Sequence, residues 1–282
     1  MSFKDVLLAL TTYPEPTPVS AVRTAVALSA ALGARISAIA CEAKVSAPGS
    51  ALGSMLLDIP ALVAGELEKS RQSAFDLLAA FKSAADQHGI LGETILERCL
   101  TSEVPQVLLG YARLRDLTII PVPEGNWVDQ WYAETLIFGS GRPSIVLSQN
   151  AVERPSAVLD RVMVAWDFSR PASRAVADAL PILERAKHVF VTTVLNEKAI
   201  AKGRSGAELA KNLARHGVEI VLDEVDAAGR SVGAVLEACI AERKADLLVM
   251  GAYGHSRVRE FVLGGATKAM LARPPVPILL SH

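Results

Sequence analysis

A chain of 282 residues is long enough for two domains of ordinary size. With half its residues hydrophobic (51%) and a mean hydropathy of +0.31, it has ample material for packed cores. A formal net charge of −1 leaves no overall basic field, so nucleic-acid binding has no electrostatic support.

The first predicted element is a short β-rich run from Val6 to Thr11, ended by the turn residues Tyr13, Pro14, Glu15 and Pro16. The apolar stretch from Thr24 to Ala40 is the strongest candidate for a membrane span, yet Gly33 and Arg35 interrupt it. A span needs roughly 20 mainly apolar residues, so the stretch reads as a buried helix followed by a strand over Ala34 to Cys41. No secretory leader pattern is present, and the expectation is a soluble cytoplasmic protein without membrane attachment. Residues around Val45 to Leu67 include Pro48, Gly49, Gly53 and Pro60, which predicts a loop or mobile helical insertion. A helix then stops at His88 and Gly89 and leads into a third strand. A fourth strand runs from Asp116 to Ile120 and a fifth from Ser144 to Ser148.

After a polar join from Gln149 to Ser156 the same layout begins again. Val162 to Asp167 answers Val6 to Thr11, and Ser169 and Pro171 supply a helix start. Ala172, Ala175, Val176, Ala179, Leu180 and Leu183 recur at helical spacing and form one apolar face. His188 to Leu195 reads as the second strand, His216 and Gly217 end the next helix, and Asp246 to Met250 is the fourth strand. Pro277 to Ser281 is the fifth. Alternating strands and helices give a parallel sheet with helices on both faces. The chain is thus read as α/β, with two tandem open five-stranded Rossmann-like domains related by a pseudo-twofold. Residues 1–150 form the first domain and 157–282 the second.

In such a sheet, ligands bind outside the carboxyl ends of the strands, where the strand order reverses. In the second copy Asp167, Val194 and Gly251 converge there. Gly251 and Gly254 lack side chains and can take positive φ, so that successive N–H groups point at an anion. The turn Gly264, Gly265, Ala266 and Thr267 then opens a helix from Lys268 to Ala272, whose free N–H groups favour a phosphate. Taken singly, each signal has an ordinary structural meaning: a turn, a cap or a helix start. Their order on a repeated α/β unit is what points to a nucleotide.

The second half resembles the universal stress protein family, and the whole chain looks like a tandem member. The signature is Gly-x-x-Gly, nine residues, then Gly and a small residue, spanning Gly251 to Gly265. The resemblance implies an adenine-nucleotide fold. Its contacts would be Asp167 on ribose or adenine, Val194 against the base, and Met250, Gly251, Gly254, Gly264, Gly265 and Thr267 around the rest. ATP is the implied ligand, with ADP or AMP as alternatives and Mg accompanying ATP. One departure is Gly265, where the family usually carries Ser or Thr; Thr267 could supply the missing hydroxyl. Members pair their fifth strands across a dimer, so here the two fifth strands are expected to pair within one chain, a further homodimer being left open.

The first copy has lost this pattern. Thr11 stands where Asp167 stands, and Pro121 to Glu124 replaces Gly251 to Gly254. Proline donates no N–H and Glu124 repels phosphate, so residues 1–150 are expected not to bind ATP. Trp127, Trp131 and Tyr132 cluster there, read as packing over a loop or the domain interface rather than as a separate site. His255, Arg257 and Arg259 face either the phosphates or solvent. Cys41, Cys99 and Cys239 are too scattered for a metal or redox motif, and no P-loop, nucleophile elbow or metal pair appears. The expectation is a regulatory, stress-response protein binding one ATP in its C-terminal domain. A slow ATPase or nucleotide-transferring enzyme, or an interaction module with a decayed site, are the alternatives.

Overall fold

The computed structural model describes residues 2–44, 59–125, 131–150, 157–195, 206–252 and 265–282. The first half runs β1 (Asp5–Leu10), α1 (Val19–Leu32), β2 (Arg35–Lys44), α2 (Ile59–Gln87), β3 (Leu91–Leu100), α3 (Val104–Ala112), β4 (Leu117–Val122), α4 (Trp131–Gly139) and β5 (Ser144–Ser148). The second repeats the order: β6 (Arg161–Ala165), α5 (Arg170–Leu183), β7 (His188–Leu195), α6 (Gly206–Ala214), β8 (Ile220–Asp226), α7 (Val232–Arg243), β9 (Leu247–Gly251), α8 (Gly265–Ala272) and β10 (Ile278–Ser281).

The helix boundaries follow from local chemistry. The Ser169 hydroxyl accepts from the Ala172 N–H at 3.2 Å and caps α5, and Pro171 sits in its first turn, where a missing N–H costs nothing. Ala172, Ala175, Val176, Ala179, Ile182 and Leu183 form the buried face of α5, with Leu180 half-buried beside them. Gly33 closes α1 at φ 70°, a left-handed conformation that a Cβ would strain. Gly89 and Gly217 make the expected stops at φ 66° and 74°. The apolar stretch read as a helix and a strand is α1 followed by β2, and among the described residues no helix is long and apolar enough to cross a membrane. The expected insertion resolves in part: from Ile59 onward it belongs to α2, and residues 45–58 lie outside the described ones.

Among the described residues ten strands join one sheet, in the order β3-β2-β1-β4-β5-β10-β9-β6-β7-β8. Within each half every pairing is parallel; the halves meet where β5 and β10 pair antiparallel. The registers place the twofold. Val6 pairs with Leu117 and Val162 with Leu247, which makes Thr118 equivalent to Leu248. Their neighbours Ser144 and Ile278 are then equivalent, and so are Ile145 and Leu279. Ile145 and Leu279 pair with each other, flanked by Val146 with Ile278 and Ser144 with Leu280. The pseudo-twofold therefore passes through the pair Ile145–Leu279.

Contacts beside the sheet reinforce this seam. The Phe138 and His282 rings meet edge to face at 5.1 Å, Arg185 Nη1 donates to the Leu32 carbonyl at 3.2 Å, and the Gly125 N–H donates to the Ala272 carbonyl at 3.1 Å. Two cores flank the sheet, one on each face, and both contain residues of both halves.

One close approach fixes the site end of the second half. A Cβ on Gly251, the last residue of β9, would stand 2.6 Å from the Ala172 nitrogen and 2.7 Å from the Pro171 carbonyl carbon. The first turn of α5 thus lies directly on the end of β9, at a distance that only glycine allows.

Two stability predictions follow from this packing. Leu279→Ala, at a fully buried residue on the seam, lowers unfolding free energy by about 2–5 kcal/mol, whereas Leu114→Ala, 70% exposed, changes it by less than about 0.5 kcal/mol. Gly251→Ala costs about 1–3 kcal/mol without any ligand present, because α5 must shift off β9. Urea denaturation of the three variants measures all of this; an unchanged midpoint for either buried variant contradicts the packing described.

Candidate functional site

The strand order of the second half reverses between β6 and β9: from β6 the chain goes outward to β7 and β8, then returns to β9 and β10. Ligand chemistry belongs at the carboxyl ends of these strands. Asp167 lies two residues beyond β6, exposed, with its Oδ1 accepting from the Ser169 N–H at 3.0 Å. Phe168 turns the chain with φ 60° and stacks edge to face on buried Trp166 at 6.0 Å. The Trp166 N–H in turn donates to the Thr192 carbonyl at 2.9 Å. The turn that carries Asp167 is therefore braced from below and pinned at its helix end by the Ser169 cap.

Val194 is half-buried near the end of β7, paired with Val225. Met250 is buried in β9, paired with Leu280, and Gly251 follows it, paired with Ser281. Gly265 is the exposed first residue of α8, with nothing among the described residues within 4 Å of a Cβ placed on it. The structure thus brings Asp167, Val194, Met250 and Gly251 to the same end of adjacent strands. Gly254 and Gly264, and with them His255, Arg257 and Arg259, lie outside the described residues.

Three expectations change. Gly251 is extended β9 backbone and is not among the glycines with positive φ; its missing side chain makes room for α5 rather than for an anion. The last helix begins at Gly265, so Gly265, Ala266 and Thr267 are its first turn rather than a turn before it. Thr267 is buried, 4% exposed, among the apolar residues of α8, which leaves little of its hydroxyl for a ligand. Sequence reasoning also passed over Arg170. This exposed first residue of α5 is close enough to His282 that, after burial, its charge helps hold that imidazole below its ordinary pKa. A basic residue next to a Ser cap at the switch point was the available signal.

The corresponding end of the first half is built differently. The connection from β1 to α1 is residues 11–18, against residues 166–169 between β6 and α5. The longer loop closes on itself: Thr17 N–H donates to the Thr11 carbonyl at 2.9 Å, Thr11 N–H donates to the Thr17 hydroxyl at 3.0 Å, and the two hydroxyls meet at 2.9 Å. Glu124, in the place of Gly254, accepts from the Ser148 hydroxyl at 2.7 Å and faces Arg273 of the other half at 3.7 Å. Tyr132 is buried and donates its hydroxyl to the Pro121 carbonyl, and burial raises its pKa. Trp131 is 39% exposed, and Trp127 lies outside the described residues. Cys41, Cys99 and Cys239 are buried free thiols, all with pKa values raised first by burial.

Residues 159–282 match the model of the universal stress protein family. No curated protein matches the chain. Among solved structures, a universal stress protein from Archaeoglobus fulgidus DSM 4304 is 16% identical, with a TM-score of 0.69 over 98% of this chain and 95% of its own. A protein of Pseudomonas aeruginosa UCBPP-PA14, provisionally named a universal stress protein, is 12% identical, with a TM-score of 0.57 over 99% of this chain and 93% of its own. A universal stress protein in complex with cAMP is 23% identical over 44% of this chain and 97% of its own, with a TM-score of 0.34. Residues 159–282 are thus similar to the universal stress protein family, and the two-copy fold is shared along the whole length of the chain.

Proposed function

We propose that the protein is a regulatory, stress-response nucleotide binder that holds one adenine nucleotide, ATP in first place, in its C-terminal half. Residues 157–282 are the binding domain and residues 1–150 a degenerate partner. The observation that carries this reading is the convergence at the β6/β9 switch point. An exposed carboxylate, Asp167, stands beside the half-buried Val194, with the ends of β9 and the start of α8 completing the same edge.

The chemistry suits an adenosine. Asp167 offers acceptor oxygens to ribose hydroxyls or to the adenine amino group, and hydrogen bonds to a charged acceptor are worth about 1.5–3 kcal/mol. Val194 gives an apolar surface for the base. The phosphates would lie toward Gly254, Gly264 and Gly265, where the N-terminus of α8 favours negative charge; Mg would accompany ATP there. Met250 is buried in β9 beneath this edge, and Gly251 seats α5. In the first half Thr11 replaces the carboxylate and Glu124 occupies the position of Gly254, so phosphate is repelled. The protein would act in the cytoplasm, signalling by occupancy rather than by turnover.

Calorimetric titration and thermal shift test the proposal together. ATP at a hundred times its dissociation constant stabilises by about 2.7 kcal/mol, with one nucleotide bound per chain. Asp167→Ala weakens binding about 10- to 100-fold, while Thr11→Ala leaves it within about twofold. Two nucleotides per chain, or equal affinity in Asp167→Ala, overturns the assignment.

A further inference from the structure

The first half keeps a cavity at its own switch point. About 170 Å³ in volume, it is lined in part by Leu10, Thr12, Tyr13, Cys41, Trp131 and Tyr132, with Ala43 and the polar side chains of Thr101 and Gln149 also on its wall. By strand register this is the counterpart of the nucleotide edge. Val6 pairs with Ile36 and Val162 with Val189, which makes Cys41 the equivalent of Val194.

Size, charge and hydrogen bonding each narrow what it could hold. Pockets for drug-sized ligands run about 300–1,000 Å³, so a nucleotide is too large. An apolar cavity of about 150 Å³ accepts benzene, which sets the scale at one or two fused rings. Among the described residues no Lys, Arg or His lines the cavity, and the one carboxylate among them, Glu15, is exposed at the rim, which disfavours anions. Several polar groups of the wall are already occupied. Thr12 Oγ1 donates to the Cys41 carbonyl at 2.6 Å and meets Ser70 Oγ at 2.8 Å. Thr11 is tied to Thr17, and the Tyr132 hydroxyl to Pro121. Among the described residues, none of the buried side-chain polar atoms left without a partner belongs to a lining residue.

These hydrogen bonds also hold the walls apart. The Thr11–Thr17 closure sets the loop that carries Tyr13, and the Tyr132 bond anchors the start of α4, so the space is preformed rather than gained by opening. Trp131, on the first residue of α4, supplies an exposed aromatic lip.

We infer that the N-terminal half is a second binding site, for an uncharged aromatic molecule of one or two fused rings, distinct from the nucleotide site. Where the repeat lost its carboxylate and glycines it gained aromatic walls and a closing loop, and the same edge of the fold turned from an anion to an apolar ring. The site is independent of nucleotide because it uses the opposite half of the sheet.

Indole is the probe, titrated into the full-length protein by calorimetry and by saturation-transfer NMR. Saturable binding at one indole per chain is expected. Ala43→Leu, which fills the cavity from β2, abolishes it, and Trp131→Ala, at a surface residue that leaves the core intact, weakens it at least fivefold. Saturating ATP changes the indole constant less than twofold. The inference is overturned by the absence of saturable binding, by wild-type affinity in both variants, or by displacement of indole by ATP.

Discussion

Everything in this fold hangs on three residue pairs at the centre of the sheet. Ile145 opposite Leu279, with one pair on either side, converts two five-stranded sheets into one of ten strands. The pairing covers the inner edge strand of each half, the part of an open sheet most prone to pair with other chains. Because the seam is antiparallel while all other pairings are parallel, it turns the second half about the twofold. The carboxyl ends of the two sets of strands therefore point in opposite directions, and the two switch points lie at opposite ends of the sheet. The loop from Pro123 to Gly125 and the ring pair of Phe138 and His282 lie beside the seam and contribute to holding the halves together.

The two switch points differ chiefly in the connection that follows their first strand. In the second half a four-residue connection leaves Asp167 exposed and presses the start of α5 onto Gly251. In the first half an eight-residue connection, braced by Thr11 and Thr17, carries an aromatic ring over the strand ends instead. With the helix seated differently, the residue at the end of β4 need not be glycine, and Pro121 is accommodated there. The central parallel strands were kept in both halves while their connections diverged, as expected when loops carry function on a rigid scaffold.

The order of elements was legible because it rests on local chemistry: strand runs rich in branched residues, helical spacing of alanines, and glycine stops at residues 33, 89 and 217. The seam could be anticipated from the matching fifth strands, though its register could not, since register emerges from pairings across the whole sheet. Asp167 and Val194 were legible as positions at strand ends. The role of Gly251 was not, because the atoms that need its space belong to Pro171 and Ala172, some eighty residues away in sequence. Nor was the burial of Thr267, which depends on where α8 begins. The aromatic-walled cavity was hidden for the same reason: Tyr13, Cys41 and Tyr132 come from three distant segments, and only the fold brings them to one space.

The central claim is that one repeated edge serves a nucleotide in the second half and excludes it in the first. A crystal structure of the full-length protein grown with saturating ATP tests it most directly. The account predicts adenosine density against Asp167 and Val194, and none between Thr11 and Pro123. Adenosine density at the first-half edge, with the Asp167 edge empty, would contradict it.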